Sequence, residues 1–380
     1  MIKKTFLIIL IIFLSGASGI VADRYVFPYL ATTQFFSRYA FLKRASQDVT
    51  VINKTQQVYV KEDSSISKIT DPVTATIVNI ISYPDTSQSK NLPIDPFSFK
   101  NGTGEIATSD GIIMTYASSI NSKNSKYKVI TSDSNVYDGQ LIGVDSWSNL
   151  AFIKINASNL PVISFGDSDN YKPGEKVIAI GNDMPEYQNK FNVGVLNSFN
   201  PTYNISGQSL SISEKLEGVF LSDFNSEKLS VGSPIINYSG QLIGVIGSTI
   251  QNSQNNFFEI PSNKIKKVLD KVINKKLNTN PILGVYYMPL SKSYALANNL
   301  NVDHGDIVYA PSGQQGLAII SGTPASKSKL KLNDIIEKVD DKEVNLGNSL
   351  SDILYTYKKG DKINLTVLRN NQEIKISVQL

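Results

Sequence analysis

Short apolar runs separated by turn residues dominate the chain from residue 71 to residue 261 and leave little room for long helices. The runs are rich in Ile, Val and Leu, whereas the segments between them are rich in Gly, Asn, Ser, Asp and Pro. Regularly spaced short strands of this kind are typical of β-barrels and β-sandwiches. We therefore predict strands at Thr74–Ile81, Gly111–Thr115, Lys126–Ile130, Gln140–Val144, Leu150–Ile155, Pro161–Ser164, Lys176–Ile180, Phe191–Leu196, Gly218–Leu221, Ser233–Asn237, Leu242–Ser248 and Phe257–Ile260.

One amphipathic helix is expected directly after these strands, over residues 262–273. Ser262 is a suitable N-cap for it, because a serine hydroxyl can accept from a free N–H of the first turn. Apolar residues recur at the spacing i, i+3, i+4, i+7 that places them on one helix face, at Ile265, Val268, Leu269 and Val272. This helix closes the β-rich region.

Composition excludes several classes of protein. The chain has 380 residues, 41% of them hydrophobic and 18% charged, so it is globular and long enough for two or three domains. Its net charge of +4 is spread along the chain, so we expect no nucleic-acid partner. It has no cysteine and a single histidine, His304, and it lacks a phosphate-binding loop motif. We therefore expect no metal site and no cofactor, and we interpret His304 as a surface residue.

The N-terminus begins with two lysines followed by an apolar run over Thr5–Ala22, near the lower length limit for a membrane-spanning helix. One interpretation is an uncleaved signal anchor over residues 1–22. The other is a signal peptide with its apolar core at Phe6–Leu14 and cleavage near Ala17–Gly19. We favour the anchor, because no strong Ala-x-Ala motif is present and apolar residues resume at Tyr25–Leu30. Both interpretations place the main domains on the extracytoplasmic side, and the anchor makes this a single-pass protein of the cell membrane.

Residues 23–70 are interpreted as a juxtamembrane segment and linker. Thr33–Phe41 is rich in aromatic residues and is expected at the lipid interface or against another subunit. Val49–Val60 has the composition of a strand, and Lys61–Ser67 is polar and is expected to be a linker.

Three motifs resemble the HtrA (Deg) family of trypsin-like serine proteases. They are FGDSDNYKPGEKVIAIGND at 165–183, FEIPSNKIKKVLDKVI at 258–273 and GTGEIATSDGIIMTY at 102–116. The resemblance implies a mainly β fold with a trypsin-like pair of six-stranded β-barrels over residues 71–274, an active-site cleft between the barrels, and a C-terminal PDZ domain over residues 280–380. Barrel 1 would cover about 71–160, barrel 2 about 161–261, and the helix 262–273 would close the unit.

The catalytic positions implied by this resemblance carry the wrong residues. Ser118 stands where the family has its histidine, Asn149 stands where it has its aspartate, and Val231 stands where it has its nucleophilic serine. Valine has no lone pair with which to attack, and serine cannot act as a general base near neutral pH. Leu229 replaces the glycine whose N–H would contribute to the oxyanion hole, so we expect the hole to be collapsed or reshaped. The sequence thus predicts a catalytically degenerate member.

An alternative remains open in which the chain is an active endopeptidase with an unconventional catalytic site. A Ser-Lys dyad would use Ser118, Ser230 or Ser233 as the nucleophile. We favour the view that Ser230 and Ser233 are turn residues. Trp147, near the former acid position, is interpreted as a packing residue.

The last hundred residues resemble the circularly permuted PDZ domain of the same family. ILGVYY at 282–287 matches the carboxylate-binding loop and the strand after it. Asn333 replaces a glycine before Asp334 and tolerates the left-handed backbone expected there, and Asn370-Asn371 predicts a hairpin turn. The resemblance implies that a peptide C-terminus adds as a strand to the edge that begins at Val285. The implied peptide-binding residues are the carboxylate-binding amides of Leu283, Gly284 and Val285 and the apolar pocket residues Leu350, Ile353 and Leu354.

These expectations combine into one functional hypothesis and two competitors. The hypothesis is a membrane-tethered HtrA-like pseudoprotease that binds polypeptide C-termini or unfolded segments, as a scaffold, chaperone-like holder or regulator in envelope protein quality control. The family commonly forms trimers, so the resemblance also suggests a homotrimer. The competitors are the active endopeptidase described above and a purely structural protein whose PDZ groove is occluded.

Overall fold

The computed structural model describes residues 2–26, 29–30, 62–85, 98–121, 124–182, 189–208, 210–224, 230–251, 254–277, 279–310 and 315–380. The chain divides into two compact units, residues 1–61 and residues 62–380. In the first unit, helix α1 (Ile2–Val21) continues as a π-helical turn, Ala22–Val26. The stretch Lys4–Val26 is long and apolar enough to cross a membrane, a property that a signal sequence shares. The expectations for Thr33–Phe41 and Val49–Val60 lie outside the described residues.

The second unit begins with helix α2 (Glu62–Thr74), where the polarity of Lys61–Ser67 had predicted a linker. That prediction is wrong. The helix forms because Ile66, Ile69 and Val73 share one face and pack against the apolar core between the barrels.

Barrel 1 is a closed six-stranded barrel with the strand order β1-β2-β3-β6-β5-β4. Apolar side chains that alternate along the strands fill its interior, among them Ile80, Ile113 and Ile153, all fully buried. A 3₁₀ turn, Ala117–Ser119, follows β3. The strands are β1 (Ile77–Pro84), β2 (Lys100–Ile106), β3 (Ile112–Tyr116), β4 (Ser125–Ile130), β5 (Val136–Val144) and β6 (Leu150–Ile155).

Barrel 2 is a second closed six-stranded barrel with the strand order β10-β13-β12-β11-β7-β8. The predicted strand at Pro161–Ser164 is not formed; this segment runs between the barrels, and an isolated bridge joins Phe165 to Leu242. Strand β9 lies outside the barrel, on the connection between β8 and β10. The strands are β7 (Lys176–Gly181), β8 (Lys190–Asn204), β9 (Ser211–Ile212), β10 (Glu217–Ser222), β11 (Pro234–Ile236), β12 (Leu242–Gln251) and β13 (Gln254–Pro261).

Helix α3 (Ser262–Ile273) forms over the predicted residues and buries the predicted apolar face. Its N-cap is Pro261 rather than Ser262. The Ser262 hydroxyl is fully buried and donates to the carbonyl oxygen of Gly166 at 2.9 Å, so it ties the helix to barrel 2 instead of capping it.

The C-terminal domain is an antiparallel sheet with short helices. Its strand order is β19-β18-β16-β15-β14-β9, with β17 paired to β16. The sheet therefore includes β9, a strand from the barrel 2 connection. Asn333 has a φ of +66°, and Asn370 and Asn371 have φ of +53° and +60° at the β18–β19 turn, as predicted. The elements are β14 (Tyr286–Pro289), α4 (Lys292–Ala297), β15 (Asp306–Val308), α5 (Gln315–Ala318), α6 (Pro324–Lys327), β16 (Ile335–Val339), β17 (Lys342–Glu343), α7 (Leu350–Leu354), β18 (Lys362–Arg369) and β19 (Gln372–Gln379).

Candidate functional site

Two of the positions predicted to be former catalytic ones, Ser118 and Asn149, lie close together at one end of barrel 1. Strands β3 and β6 pair with Tyr116 opposite Leu150, so the residues after β3 meet the residues before β6. The backbone N–H of Ala117 donates to the carbonyl oxygen of Asn149 at 2.8 Å. Ser118 follows in the 3₁₀ turn and is exposed. Ser118 and Asn149 therefore lie on neighbouring segments at the same end of barrel 1.

The side chain of Asn149 is already engaged on both sides. Its Nδ2 donates to the hydroxyl of Tyr116 at 3.3 Å, and its Oδ1 accepts from Lys215 Nζ at 2.8 Å. Burial raises the pKa of Tyr116 to about 12, so its hydroxyl stays protonated at neutral pH. Burial lowers the pKa of Lys215. An amide held between a phenol and an ammonium group supplies no charge that could orient and stabilise an imidazolium.

The turn that would carry the nucleophile is pressed against barrel 1. Val231 is half-buried and packs on the core between the barrels. Gly232 has a φ of +87°, and a Cβ added there would lie 2.4 Å from Thr115 Oγ1 and 2.7 Å from the carbonyl oxygen of Thr103. Thr115 lies on β3, just before the turn that holds Ser118. The structure therefore brings the Val231 turn to the same place as the other two positions, with an apolar side chain in it.

The neighbouring serines show no sign of activation. Ser230 Oγ and Ser233 Oγ are buried and have no hydrogen-bond partner within the part of the chain that the structure describes. The N–H of Ser233 donates to the carbonyl oxygen of Ser230 at 3.1 Å, as expected for turn residues. A dyad would require a lysine amine at one of these hydroxyls, and among the described residues neither hydroxyl has one. Leu229, predicted to be an altered oxyanion-hole position, lies outside the described residues.

The seam between the barrels contains further buried polar groups. The backbone N–H of Asn182 donates to Thr103 Oγ1 at 2.6 Å, and Asn79 Nδ2 donates to the carbonyl oxygen of Asn182 at 3.2 Å. Glu105 on β2 is fully buried, and burial raises its pKa well above the usual range. The two bonds of Asn182 tie the end of β7 in barrel 2 to β1 and β2 of barrel 1.

The predicted carboxylate-binding loop of the C-terminal domain has a ligand from within the chain. Glu214 Oε1 accepts from the N–H of Leu283 at 2.9 Å and from the N–H of Gly284 at 2.8 Å. The third N–H of the loop, that of Val285, donates to Ser213 Oγ at 3.1 Å. All three amides predicted to hold a peptide carboxylate are therefore bound to side-chain oxygens of Ser213 and Glu214.

The edge strand next to this loop is also paired. Strand β9 lies antiparallel to β14, with Ile212 opposite Tyr286 and Ser211 opposite Tyr287. The ladder extends by one bond from the N–H of Ser213 to the carbonyl oxygen of Val285 at 3.0 Å. Residues 211–214 of the same chain therefore occupy the edge strand to which a peptide C-terminus was predicted to add.

The three predicted pocket residues are buried in the core of the C-terminal domain. Leu350, Ile353 and Leu354 are 0%, 1% and 3% exposed and belong to one apolar cluster with Leu283 and Val285. Of the three, Leu354 also lines a cavity of about 310 Å³ beside Ser213 and Glu214. Leu350 and Ile353 act in packing, and Leu354 is the one placed where a ligand side chain could reach it.

The internal ligand was missed by the sequence reasoning. A signal was present, because Leu210 and Ile212 alternate with serines in the run SLSIS, the period expected of a strand. The two-residue length of β9 and its long-range partner hid that signal. Trp147 was predicted to be a packing residue, and its burial at 2% exposure confirms this. Among the described residues, no group of three or more His, Asp and Glu side chains could hold a metal ion.

Comparisons with known proteins agree with this architecture. The model of the trypsin-like peptidase domain matches residues 102–245, and the model of the PDZ domain matches residues 283–380. Serine protease HTRA1 of Xenopus tropicalis is 32% identical over 284 residues, covering 73% of this chain and 59% of the relative. Probable periplasmic serine endoprotease DegP-like of Chlamydia muridarum is 30% identical over 280 residues, covering 73% of this chain and 53% of the relative.

Solved structures show the same fold. HtrA-type protease AlgW with tripeptide superposes with a TM-score of 0.64 at 20% identity, covering 82% of this chain and 95% of that chain. HtrA-type protease AlgW with decapeptide gives a TM-score of 0.61 at 20% identity. The chain spans between 53% and 59% of the length of the two curated relatives. With a trypsin-like double barrel, a PDZ domain and these relatives, the chain belongs to the HtrA family.

Proposed function

We propose that this chain is a membrane-tethered HtrA-family pseudoprotease that binds polypeptide C-termini or unfolded segments through its PDZ domain. It would act as a scaffold, chaperone-like holder or regulator in envelope protein quality control, with its main domains on the extracytoplasmic side. The observation that carries the proposal is Val231, an apolar side chain packed in the turn that would present the nucleophile.

The loss of catalysis is supported by the other two former triad positions. Ser118 has no imidazole to offer, and the amide of Asn149 is held by Tyr116 and Lys215. Acyl transfer needs a hydroxyl or thiol nucleophile and a base within hydrogen-bond reach of it. The exposed Ser118 is one of the candidates for an unconventional nucleophile, beside Ser230 and Ser233, and the test below includes it.

The binding role and location are supported by other features. Strand addition to β14 is physically workable, because residues 211–214 already use it. The solved structures with peptides and the periplasmic relative are consistent with peptide binding outside the cytoplasm. The apolar stretch Lys4–Val26 would supply the tether. A homotrimer formed through the barrels remains part of the proposal because of the family resemblance.

Two measurements on the full chain in mild detergent test this proposal. The first is labelling of the wild-type protein and of a Ser118→Ala variant with a serine-reactive fluorophosphonate probe. We expect no labelling of either protein. Labelling that disappears in the Ser118→Ala variant would show an active endopeptidase instead.

The second measurement is saturable binding of synthetic peptides with a free C-terminal carboxylate, compared with the same peptides as C-terminal amides. We expect binding of the free acids only, because a C-terminal amide lacks the negative charge to which the backbone N–H groups of the loop would donate. Equal binding of acid and amide, or no binding by any variant of the chain, would contradict the proposed PDZ role.

A further inference from the structure

We propose that the segment Ser211–Glu214 is an intramolecular ligand of the PDZ groove, which a polypeptide C-terminus with an apolar last residue must displace in order to bind. This inference rests on the proposed peptide-binding function and concerns how that site is regulated.

The segment reproduces the backbone and carboxylate contacts of a bound chain terminus. Its backbone adds to β14 in antiparallel register, with Ile212 opposite Tyr286. The N–H of Ser213 donates to the carbonyl oxygen of Val285, so Ser213 takes the place of a last ligand residue. The side-chain carboxylate of Glu214 then stands in for the terminal carboxylate at Leu283 and Gly284. A carboxylate that accepts from two backbone N–H groups is a strong, charge-assisted contact.

The segment fits the groove incompletely at one point. Ser213 presents only a hydroxymethyl group, and that hydroxyl bonds back to the N–H of Val285 and to Glu214 Oε1. The adjacent cavity of about 310 Å³ is lined by Ile282, Leu354 and Tyr355 among others. A peptide whose last side chain is apolar would bury that side chain in the cavity, which Ser213 cannot do. This is the chemistry by which an external terminus would outcompete the internal segment.

The segment has an advantage that comes from its attachment. It is tethered at both ends in the connection between β8 and β10, so it competes as an intramolecular ligand. It is also held beside the groove, where Glu217 accepts from the hydroxyl of Ser211 and from the hydroxyl of Tyr287. A free peptide therefore binds with an apparent dissociation constant equal to its intrinsic value divided by the fraction of molecules whose groove is open.

The test compares the wild-type chain with Glu214→Ala and Glu214→Gln, and uses Glu175→Ala as the matched control. Glu175 is an exposed glutamate on the turn before β7, so its removal changes the charge but not the groove. The probe is a fluorescein-labelled synthetic peptide, Gly-Gly-Ser-Ile-Val with a free carboxylate. We expect Glu214→Ala to bind it about tenfold or more tightly than wild type, Glu214→Gln to lie between, and Glu175→Ala to match wild type.

Binding has an intrinsic reporter. Trp147 is the single tryptophan of the chain, and it lines the same cavity as Ser213 and Glu214. We expect the peptide to change the fluorescence of Trp147 at a lower peptide concentration in Glu214→Ala than in wild type. Equal peptide affinity for folded wild-type and Glu214→Ala protein would overturn the inference while leaving the proposed peptide binding intact.

A second readout does not depend on any peptide. Hydrogen exchange, measured on the fragment 282–286, reports whether the amides of Leu283, Gly284 and Val285 are bonded in the free protein. We expect protection in wild type and in Glu175→Ala, and about tenfold faster exchange in Glu214→Ala. Unchanged protection in a folded Glu214→Ala variant would overturn the internal ligand. If exchange is faster in Glu214→Ala but no variant binds the peptide, the result would support the internal contact of Glu214 and refute the proposed peptide-binding function. Circular dichroism identifies variants that fail to fold. If Glu214→Ala does not fold, rapid exchange of the fragment 282–286 in the wild-type protein would by itself overturn the inference.

Discussion

The indole ring of Trp147 stacks on the ring of Tyr355 with their centroids 4.0 Å apart and their planes inclined by 19°. Trp147 belongs to the loop between β5 and β6 of barrel 1, and Tyr355 directly follows α7 of the PDZ domain. Trp147 Nε1 donates to Ser351 Oγ at 3.1 Å, and the hydroxyl of Tyr355 donates to Asp145 Oδ1 at 3.2 Å. The PDZ domain is therefore fixed on the barrels by a stacked pair with both polar ends satisfied.

We expect Trp147→Ala to be among the most destabilising single substitutions in the chain. It removes a side chain that is 2% exposed, leaves a cavity and takes the partner from Ser351. Large aromatic-to-alanine changes in cores cost about 3–5 kcal/mol. Urea unfolding of the full chain, followed by far-ultraviolet circular dichroism, measures the loss. Val136→Ala, at a side chain 60% exposed, is the control and should cost less than about 0.5 kcal/mol. A similar cost for both variants would contradict the packing described here.

The ion pair between Lys264 and Asp352 links helix α3 to the PDZ domain. Lys264 Nζ lies 2.8 Å from Asp352 Oδ2, and the two side chains are 13% and 8% exposed. Breaking a buried pair from one side leaves an unpaired buried charge, which costs about 3–5 kcal/mol. We expect Lys264→Met and Asp352→Leu to be strongly destabilising alone and much less so together. A double-mutant cycle measures the difference, and additive effects would show that the pair is not coupled.

The sequence predicted most of what local pattern determines. Helix α3 forms over Ser262–Ile273 because its apolar spacing is unambiguous, and Asn333 adopts the left-handed conformation expected of it. The substitutions at Ser118, Asn149 and Val231 follow from alignment of motifs, and the fold places their three elements together. These features depend on residues close in sequence or on a fold that the motifs identify.

What the sequence did not predict depends on distant contacts. Strand β9 is two residues long and forms because it pairs with the edge strand β14, which is distant in sequence. A short stretch of sequence around β9 does not show that this partner is available. The role of Glu214 requires its carboxylate to reach amides about seventy positions later in the chain, as the bonds to Leu283 and Gly284 show. Helix α2 was missed for another reason: Ile66, Ile69 and Val73 have helical spacing, but the polarity of Lys61–Ser67 favoured a linker.

Glu259 should make the protein less stable as the pH rises. It lies on β13 and is 4% exposed, and burial raises its pKa from 4.5 to about 8. Between these two values the unfolded chain releases a proton that the folded chain retains, so stability falls as pH increases from about 4.5 to 8. Each pKa unit corresponds to roughly 1.4 kcal/mol, so the full effect is several kcal/mol.

Comparison with Glu259→Gln isolates this group, because other buried acids such as Glu105 contribute equally to both proteins. We expect the variant to gain stability relative to wild type across that pH range and to match it most closely near pH 4. Urea unfolding at a series of pH values measures the difference, with the exposed Glu175→Gln as the control. A stability difference that does not change with pH would show that Glu259 does not titrate as described.

Gly284 is required in the carboxylate-binding loop for a steric reason beyond its backbone conformation. Its φ is +84°, and a Cβ there would lie 2.3 Å from Thr323 Oγ1. Gly322 provides the matched control, since its φ is +82° but a Cβ there would meet nothing within 4 Å. We expect Gly322→Ala to cost about 1 kcal/mol from the left-handed backbone alone, and Gly284→Ala to cost roughly 1–3 kcal/mol more because Thr323 must move.

The same pair of variants separates strain from function. Gly284→Ala should displace the N–H groups that bind Glu214, so the fragment 282–286 should lose protection from hydrogen exchange, whereas Gly322→Ala should leave it protected. Peptide affinity should fall in the first variant and stay at the wild-type value in the second, because only the first moves the amides that hold a carboxylate. Equal stability, exchange and affinity for the two alanine variants would show that the loop tolerates a side chain at 284, and that Thr323 does not enforce its geometry.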